Sequence, residues 1–218
     1  MSLFMWGVLG SIYVLKIRIK YLPIKTVNEV KETFDFFKKC AFHTCETECS
    51  VSLPMHEIYQ AMMENVETKT NIQFYAVYEK EIIGSIIAVK LNDKELFLSI
   101  VAVSSKFRGK GIAKRFMTIL AKSAKKEGFK NLQINADANN SGFFLKEGFV
   151  PYLYVKASSP TTIEEVEDAN HDGLEKVALF PFDNMIKFAV PDTNKKWLKP
   201  FISCLSDFQA KFTYEKQI

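Results

Sequence analysis

The chain has 218 residues, of which 48% are apolar and 25% charged, and carries a formal charge of +4. That length and apolar share exclude a disordered chain and allow one domain, or one domain with a substantial appendage. The positive excess is too small for the concentrated basic surface of a nucleic-acid binder.

The opening stretch, "SLFMWGVLGSIYVL", is uncharged. It lacks the cationic leader and small-residue cleavage site of a signal peptide, and it is shorter than the ~20 residues of a spanning helix. It runs into "KIRIKYLPI", whose apolar and basic residues alternate as in a half-buried strand. A strand with an apolar extension is therefore expected, and a membrane anchor is disfavoured.

"TVNEVKETFDFFKKCAF" places Val27, Val30, Phe34 and Phe37 on one helical stripe, with Thr26 and Glu29 at capping-box spacing. Cys40, His43, Cys45 and Cys49 follow, residue types that suit zinc. They lack a CxxC pair and come from one short segment, so reduced thiols of a cytoplasmic chain, without metal, are predicted. A second helix should begin with Pro54 in its first turn and present Met55, Ile58, Tyr59, Met62 and Met63 as core.

Three strand-like runs come next, "NIQFYAVY", "IIGSIIAVKL" and "ELFLSIVAV", with connections short enough for hairpins, so an antiparallel meander is predicted. "GIAKRFMTILAKSAKKEG" is an amphipathic helix stopped by Gly128; "FKNLQINAD" is a strand, "NNSGFFLKEG" a short helix ended by Gly148, and "FVPYLYVKA" another strand. Beyond residue 157, "SSPTTIEEVEDANHDG" reads as a mobile loop, "NMIKFAV" as one more strand, and "KKWLKPFISCLSDFQAKF" as a terminal helix interrupted at Pro200.

Between the third meander strand and the long helix stands "RGKGIA". A helix start offers unpaired backbone N–H groups and a positive dipole end, and glycines let that backbone approach an anion such as a pyrophosphate. The loop has neither the GKS/GKT ending of a Walker A motif nor a GxGxxG pattern with its distant acid. Its cations are not interleaved with aromatics, so a nucleic acid is the weaker reading.

Arg108-Gly109-Lys110-Gly111-Ile112-Ala113 resembles the R/Q-x-x-G-x-G/A signature of the GNAT superfamily of N-acetyltransferases, and the preceding "LSIVAVSSKF" resembles that family's fourth strand and its exit. "ADANNSGFFLKEGF" resembles the family's second motif, especially in its histone-type branch, and the element order matches over residues 12–156. The resemblance implies that the pyrophosphate of acetyl-CoA lies on the backbone of Gly109, Lys110, Gly111, Ile112, Ala113 and Lys114. It implies a pantetheine arm between splayed strands at Val101 and Val103, with Asn139, Asn140 and Phe143 lining the other side. Lys106, Arg108, Lys110, Lys114 or Arg115 are candidates to balance the phosphates.

Transfer in that family is a direct attack of a neutral amine on the thioester, which calls for a base, oxyanion donors and an acid for the thiolate. The positions matching the usual acidic tyrosine and the histone-branch glutamate are Phe144 and Phe97. Candidate substitutes are Glu95, two residues before Phe97, Asp137 at the end of the next strand, and Tyr152 or Tyr154 after the short helix. Each has a plain alternative: a solvated turn for Glu95, a helix cap for Asp137, packing for the tyrosines.

The expected molecule is an α/β protein with a GNAT-type mixed, mostly antiparallel central sheet flanked by helices. Residues 12–156 form the acetyltransferase core, and residues 157–218 a C-terminal extension packed on it. Its expected partners are acetyl-CoA, as co-substrate, and an amine acceptor, without nucleic acid; a homodimer is open to it. A catalytically reduced acyl-CoA sensor or interaction module is the alternative that Phe97 and Phe144 motivate.

Overall fold

The computed structural model describes residues 18–43, 54–135 and 141–218. Its elements are β1 (Lys20–Pro23), α1 (Val27–His43), α2 (Met55–Glu67), β2 (Gln73–Tyr78), β3 (Glu81–Lys90), β4 (Glu95–Val103), α3 (Ile112–Lys126), β5 (Asn131–Ile134), α4 (Ser141–Lys146), β6 (Val150–Ala157), α5 (Ile163–Asp168), β7 (Lys176–Phe180), β8 (Met185–Ala189), α6 (Lys199–Cys204) and β9 (Phe208–Gln217). The strands form one sheet in the order β1-β2-β3-β4-β5-β9-β6-β8-β7. Among the described residues, the pairing of β4 with β5 is parallel and every other pairing is antiparallel.

Local chemistry explains the first half. At the start of α1, Glu29 N–H donates to Thr26 Oγ1 (3.2 Å) while Thr26 N–H donates to Glu29 Oε2 (2.9 Å), which is the expected capping box. Pro54 stands one position before α2, at its N-cap. The meander forms as expected, and the β2–β3 turn places both Glu79 (φ 49°) and Lys80 (φ 69°) in the left-handed region that a two-residue hairpin needs.

Helix α3 covers one face through Ile112, Phe116, Met117, Leu120 and Ala124, packed on Ile86, Ala88, Leu96 and Leu98. Helices α1 and α2 cover the other through Val30, Phe37, Ile58 and Met62, packed on Ile87, Ile100 and Ala102. Strand β4 serves both cores because of a bulge. Ile87 pairs with Ile100 but Ala88 pairs with Leu98, so Ser99 is an extra residue. The extra residue inverts the alternation: Leu96 and Leu98 face α3, whereas Ile100 and Ala102 face α1 and α2.

The C-terminal third corrects three expectations. The acidic segment expected to be a loop contains α5, held by a second capping box in which Glu165 N–H donates to Thr162 Oγ1 and Thr162 N–H to Glu165 Oε2. Strand β7, which was not expected, pairs with β8 at the sheet's edge. The expected terminal helix is a short α6 with Pro200 in its first turn, followed by β9. That last strand lies inside the sheet, antiparallel to both β5 and β6. Its even-numbered residues Phe208, Ala210 and Phe212 join the core of α5 and α6, and Tyr214 joins the core of α3.

Candidate functional site

The loop between β4 and α3 is built around two residues of positive φ, Gly109 (74°) and Gly111 (76°). A Cβ at either would meet nothing within 4 Å, so the backbone conformation, not crowding, calls for glycine there. Gly111 is the N-cap of α3, and the first intrahelical bond beyond it runs from Arg115 N–H to Gly111 C=O (3.0 Å). The first-turn N–H groups of Ile112, Ala113 and Lys114 point out of the helix end, with the positive end of its dipole. Arg108 is folded back, Nε donating to Val103 C=O (3.4 Å), and Lys110 Nζ lies 4.8 Å from the centre of the Phe107 ring.

The strand leading to this loop loses a neighbour halfway. β4 pairs with β5 at Glu95–Asn131, Leu96–Leu132 and Phe97–Gln133. Past Phe97, β4 continues to Val103, whereas β5 ends at Ile134, paired along its other edge with β9 over its whole length. The β5-side backbone of Leu98 to Val103 therefore has no ladder partner among the described residues, and a cleft opens between the strands. The half-buried Val101 and Val103 stand beside it, on the α3 face.

Phe143 of α4 is half-buried against the α3 core, and Phe144 is buried behind it, packed on Phe149 and Tyr214. The expected sites Asp137, Asn139 and Asn140 lie outside the described residues.

Glu95 sits at the opposite end of β4 from the glycine loop, eight residues or about 26 Å of strand from Val103. Its carboxylate accepts from Asn92 Nδ2 (2.8 Å) and Asn131 Nδ2 (3.4 Å). Tyr152 and Tyr154 lie on the sheet face opposite α3, beside two residues that sequence reasoning did not single out. Glu215 of β9 accepts from the Tyr154 hydroxyl at Oε1 and from Lys187 Nζ at Oε2 (2.6 Å). Lys187, from β8, also lies 3.8 Å from the centre of the Tyr152 ring. Burial first, then the hydrogen bond and charge of Glu215, push the Tyr154 phenol far above its usual range. Tyr152 is raised by burial, then by Glu215 and Glu175. Both phenols are thus donors, not bases, at neutral pH. The signal for Glu215 was the two-residue alternation in "FQAKFTYEKQ", which marks a strand with Lys211, Thr213 and Glu215 on one face.

Cys40 lies on α1, while Cys45 and Cys49 fall outside the described residues, as does the side chain of His43. Among the described residues, no three metal-ligating side chains converge. None of the described helices is long and apolar enough to cross a membrane.

Residues 50–154 match the family model of the acetyltransferase (GNAT) domain. No curated protein matches the sequence. Among solved structures, the chain is similar to Ard1 from Thermoplasma volcanium, at 11% identity and TM-score 0.50, over 92% of this chain and 97% of that one. It is also similar to the ribosomal-protein-S18-alanine N-acetyltransferase from Escherichia coli, at 12% identity and TM-score 0.51, over 92% and 94% of the two chains. At such identities the likeness is one of fold.

Proposed function

Since the chain carries an acetyltransferase domain of the GNAT family, we propose that it moves the acetyl group of acetyl-CoA to a primary amine by direct attack in a ternary complex. The observation that carries this reading is the end of β4–β5 pairing at Phe97–Gln133, on the strand that leads into the Gly109–Gly111 loop. A thioester arm needs strand backbone left unpaired, and its pyrophosphate needs a helix N-terminus that can be approached closely. Both lie on one continuous segment.

Acetyl-CoA supplies the activated acetyl group. The residues proposed to hold it are Gly109 to Lys114 for the pyrophosphate, with Arg108 and Lys110 nearby, and Val101 and Val103 for the arm. Phe143 is proposed for the opposite side, together with Asn139 and Asn140, which are assigned from the sequence motif alone. Of the proposed catalytic residues, Tyr152 keeps its proton in these surroundings, so it would serve as a hydrogen-bond donor and not as a base. Glu95 would act from the far end of β4, where the asparagines orient it, and Asp137, three residues beyond β5 in the sequence, rests on its sequence position alone. The proposed core, residues 12–156, takes β9 from the proposed extension, residues 157–218. A cytoplasmic setting goes with this reading, where free acetyl-CoA and amine are both at hand.

The test is titration calorimetry with acetyl-CoA and with CoA, on the wild type and Gly111→Val, followed by a thiol-release assay over an amine panel. One-site binding lost in the variant, with amine-dependent thiol release, is expected. The buried Phe144 and the phenylalanine at position 97 favour a second reading, a sensor of acyl-CoA. Binding without turnover on any amine would select it. No binding of either ligand would overturn both.

A further inference from the structure

The sheet is covered differently along its length. Over β2 to β4 both faces carry helices, but over β5, β9, β6 and β8 the face opposite α3 carries side chains that belong to none of the three apolar cores. The strand registers order these side chains into rows. Phe97, Gln133 and Glu215 share one row, the last in which β4 and β5 are paired. Glu215 therefore stands at the foot of the cleft, one strand or ~5 Å from Gln133 and two strands or ~10 Å from Phe97.

The surroundings of Glu215 are those that bind a primary ammonium. The Lys187 ammonium occupies them here, 2.6 Å from Oε2 and over the Tyr152 ring at 3.8 Å, while the Tyr154 hydroxyl fixes Oε1. A carboxylate flanked by an aromatic face attracts a cation through both charge and ring quadrupole. The pair is not sealed: side-chain exposure is 12% for Lys187 and 19% for Glu215. Lys187 comes from β8, beyond the 50–154 segment that matches the family model.

Resting on the acetyl-transfer reading above, we propose that Glu215 receives the acceptor's ammonium in place of Lys187 and takes its proton. The acceptor class is a primary ammonium on an unbranched aliphatic stem, because the Lys187 ammonium, which ends such a stem, already lies over the Tyr152 ring against the same carboxylate. One proton passes from R–NH3+ to Oε2 of Glu215, leaving the neutral amine. The amine nitrogen forms the C–N bond to the acetyl carbon as the C–S bond breaks. The second nitrogen proton goes to the departing sulfur, which leaves as the thiol. Lys187 is then a built-in competitor that fills the ammonium site until an acceptor displaces it.

The probe is n-butylamine, which copies the Lys187 stem. Acetyl-CoA affinity is measured first on wild type, Lys187→Met, Glu215→Gln and Tyr154→Phe, and should be alike in all four. Lys187→Met should lower KM for n-butylamine by about tenfold, the size of one charge-assisted contact. Glu215→Gln should lower kcat/KM by about a hundredfold or more, as loss of a general base does. If Glu215→Gln does not fold, Tyr154→Phe, which deletes a hydroxyl alone, should still lower kcat/KM severalfold. A merely structural pair would instead give Lys187→Met and Glu215→Gln the same loss of thermal stability and activity. A raised KM in Lys187→Met, unchanged kinetics in Glu215→Gln or Tyr154→Phe, or no binding or acetylation of n-butylamine by Lys187→Met would overturn the assignment, with acetyl-CoA binding intact. Wild type that does not bind acetyl-CoA would overturn the acetyl-transfer reading, and the Glu215 assignment with it.

Discussion

The Tyr75 hydroxyl donates to Glu29 Oε1 at 3.1 Å, tying the first turn of α1 to β2. The same carboxylate caps α1 through the N–H groups of Lys25 and Thr26, so one side chain both starts the helix and docks it. Each partner shifts the other. Burial, then the hydrogen bond and charge of Glu29, raise the Tyr75 phenol to about 12. Burial would raise the Glu29 carboxyl, but its bonds from Lys25, Thr26 and Tyr75 outweigh this and lower it.

Those shifts predict stability lost at both ends of the pH range. The Tyr75 contribution is complete below the unfolded phenol's value of 10 and disappears as pH rises through about 12. The Glu29 contribution is complete above the unfolded value of 4.5 and disappears as pH falls through its lowered folded value. Urea titrations across pH should show Tyr75→Phe flattening the alkaline limb and Glu29→Gln flattening the acid one. Tyr75→Phe should cost about 0.5–1.5 kcal/mol at neutral pH. Parallel pH profiles for wild type and both variants would show that the contact carries no linkage.

Gly84 sets how closely α3 approaches the sheet. A Cβ there would stand 3.0 Å from Ala102 C=O and 3.0 Å from Cε2 of Phe116. The carbonyl belongs to the backbone of β4 and cannot turn away. Gly84→Ala should therefore destabilise by about 1–3 kcal/mol in urea unfolding, the usual cost of overpacking. It should also weaken acetyl-CoA binding, because the displaced helix is the one whose N-terminus follows Gly111. A variant as stable as wild type would mean that the backbone at Ala102 shifts slightly while Phe116 rotates aside, and that α3 stays in place.

Gly111→Ala separates backbone conformation from bulk. No atom lies within 4 Å of the added methyl, so the strain is that of holding a β-carbon at φ 76°, about 1–2 kcal/mol. The expected result is a modest loss of thermal stability with a larger loss of acetyl-CoA affinity, as the loop relaxes away from the conformation that exposes the α3 N–H groups. Equal losses in free and acetyl-CoA-saturated protein would show that the left-handed loop supports folding only.

Features of short sequence range were legible in advance. The Thr26–Glu29 cap, the meander with its short turns, and the glycine loop ahead of α3 each depend on a few adjacent residues. The C-terminal third was harder because its cues compete. Thr162 and Glu165 have the same spacing as Thr26 and Glu29, but the acidic run around them reads equally well as solvated loop. The phenylalanines at 201, 208 and 212 suggest a helical stripe, although the residues from 208 onward alternate in a period of two. What decides is tertiary: β5 and β6 both need a partner, and β9 fills the gap between them. The Lys187–Glu215 pair depends on that insertion, and no local pattern announces it.

Tyr214 is the test of how far the last strand holds the molecule together. It pairs with Ile134 on one side and Pro151 on the other, is fully buried, and exchanges a 2.8 Å hydrogen bond with Thr193. Tyr214→Phe leaves the ring in the core but strands the Thr193 hydroxyl, itself buried, and should cost about 1–3 kcal/mol. Thr193→Val should cost a similar amount, and the double variant less than the sum, because each change already removes the same bond. Additive losses in the cycle would mean that the two hydroxyls act independently. Tyr214→Ala goes further, opening a cavity against Phe144 at the junction of β5, β9 and α4, and should cost about 3–5 kcal/mol. Because that junction also carries the β5 side of the cleft, acetyl-CoA affinity should fall in Tyr214→Ala but persist in Tyr214→Phe. Loss of affinity in both would place the phenol itself, and not the packing of β9, behind the cleft's geometry.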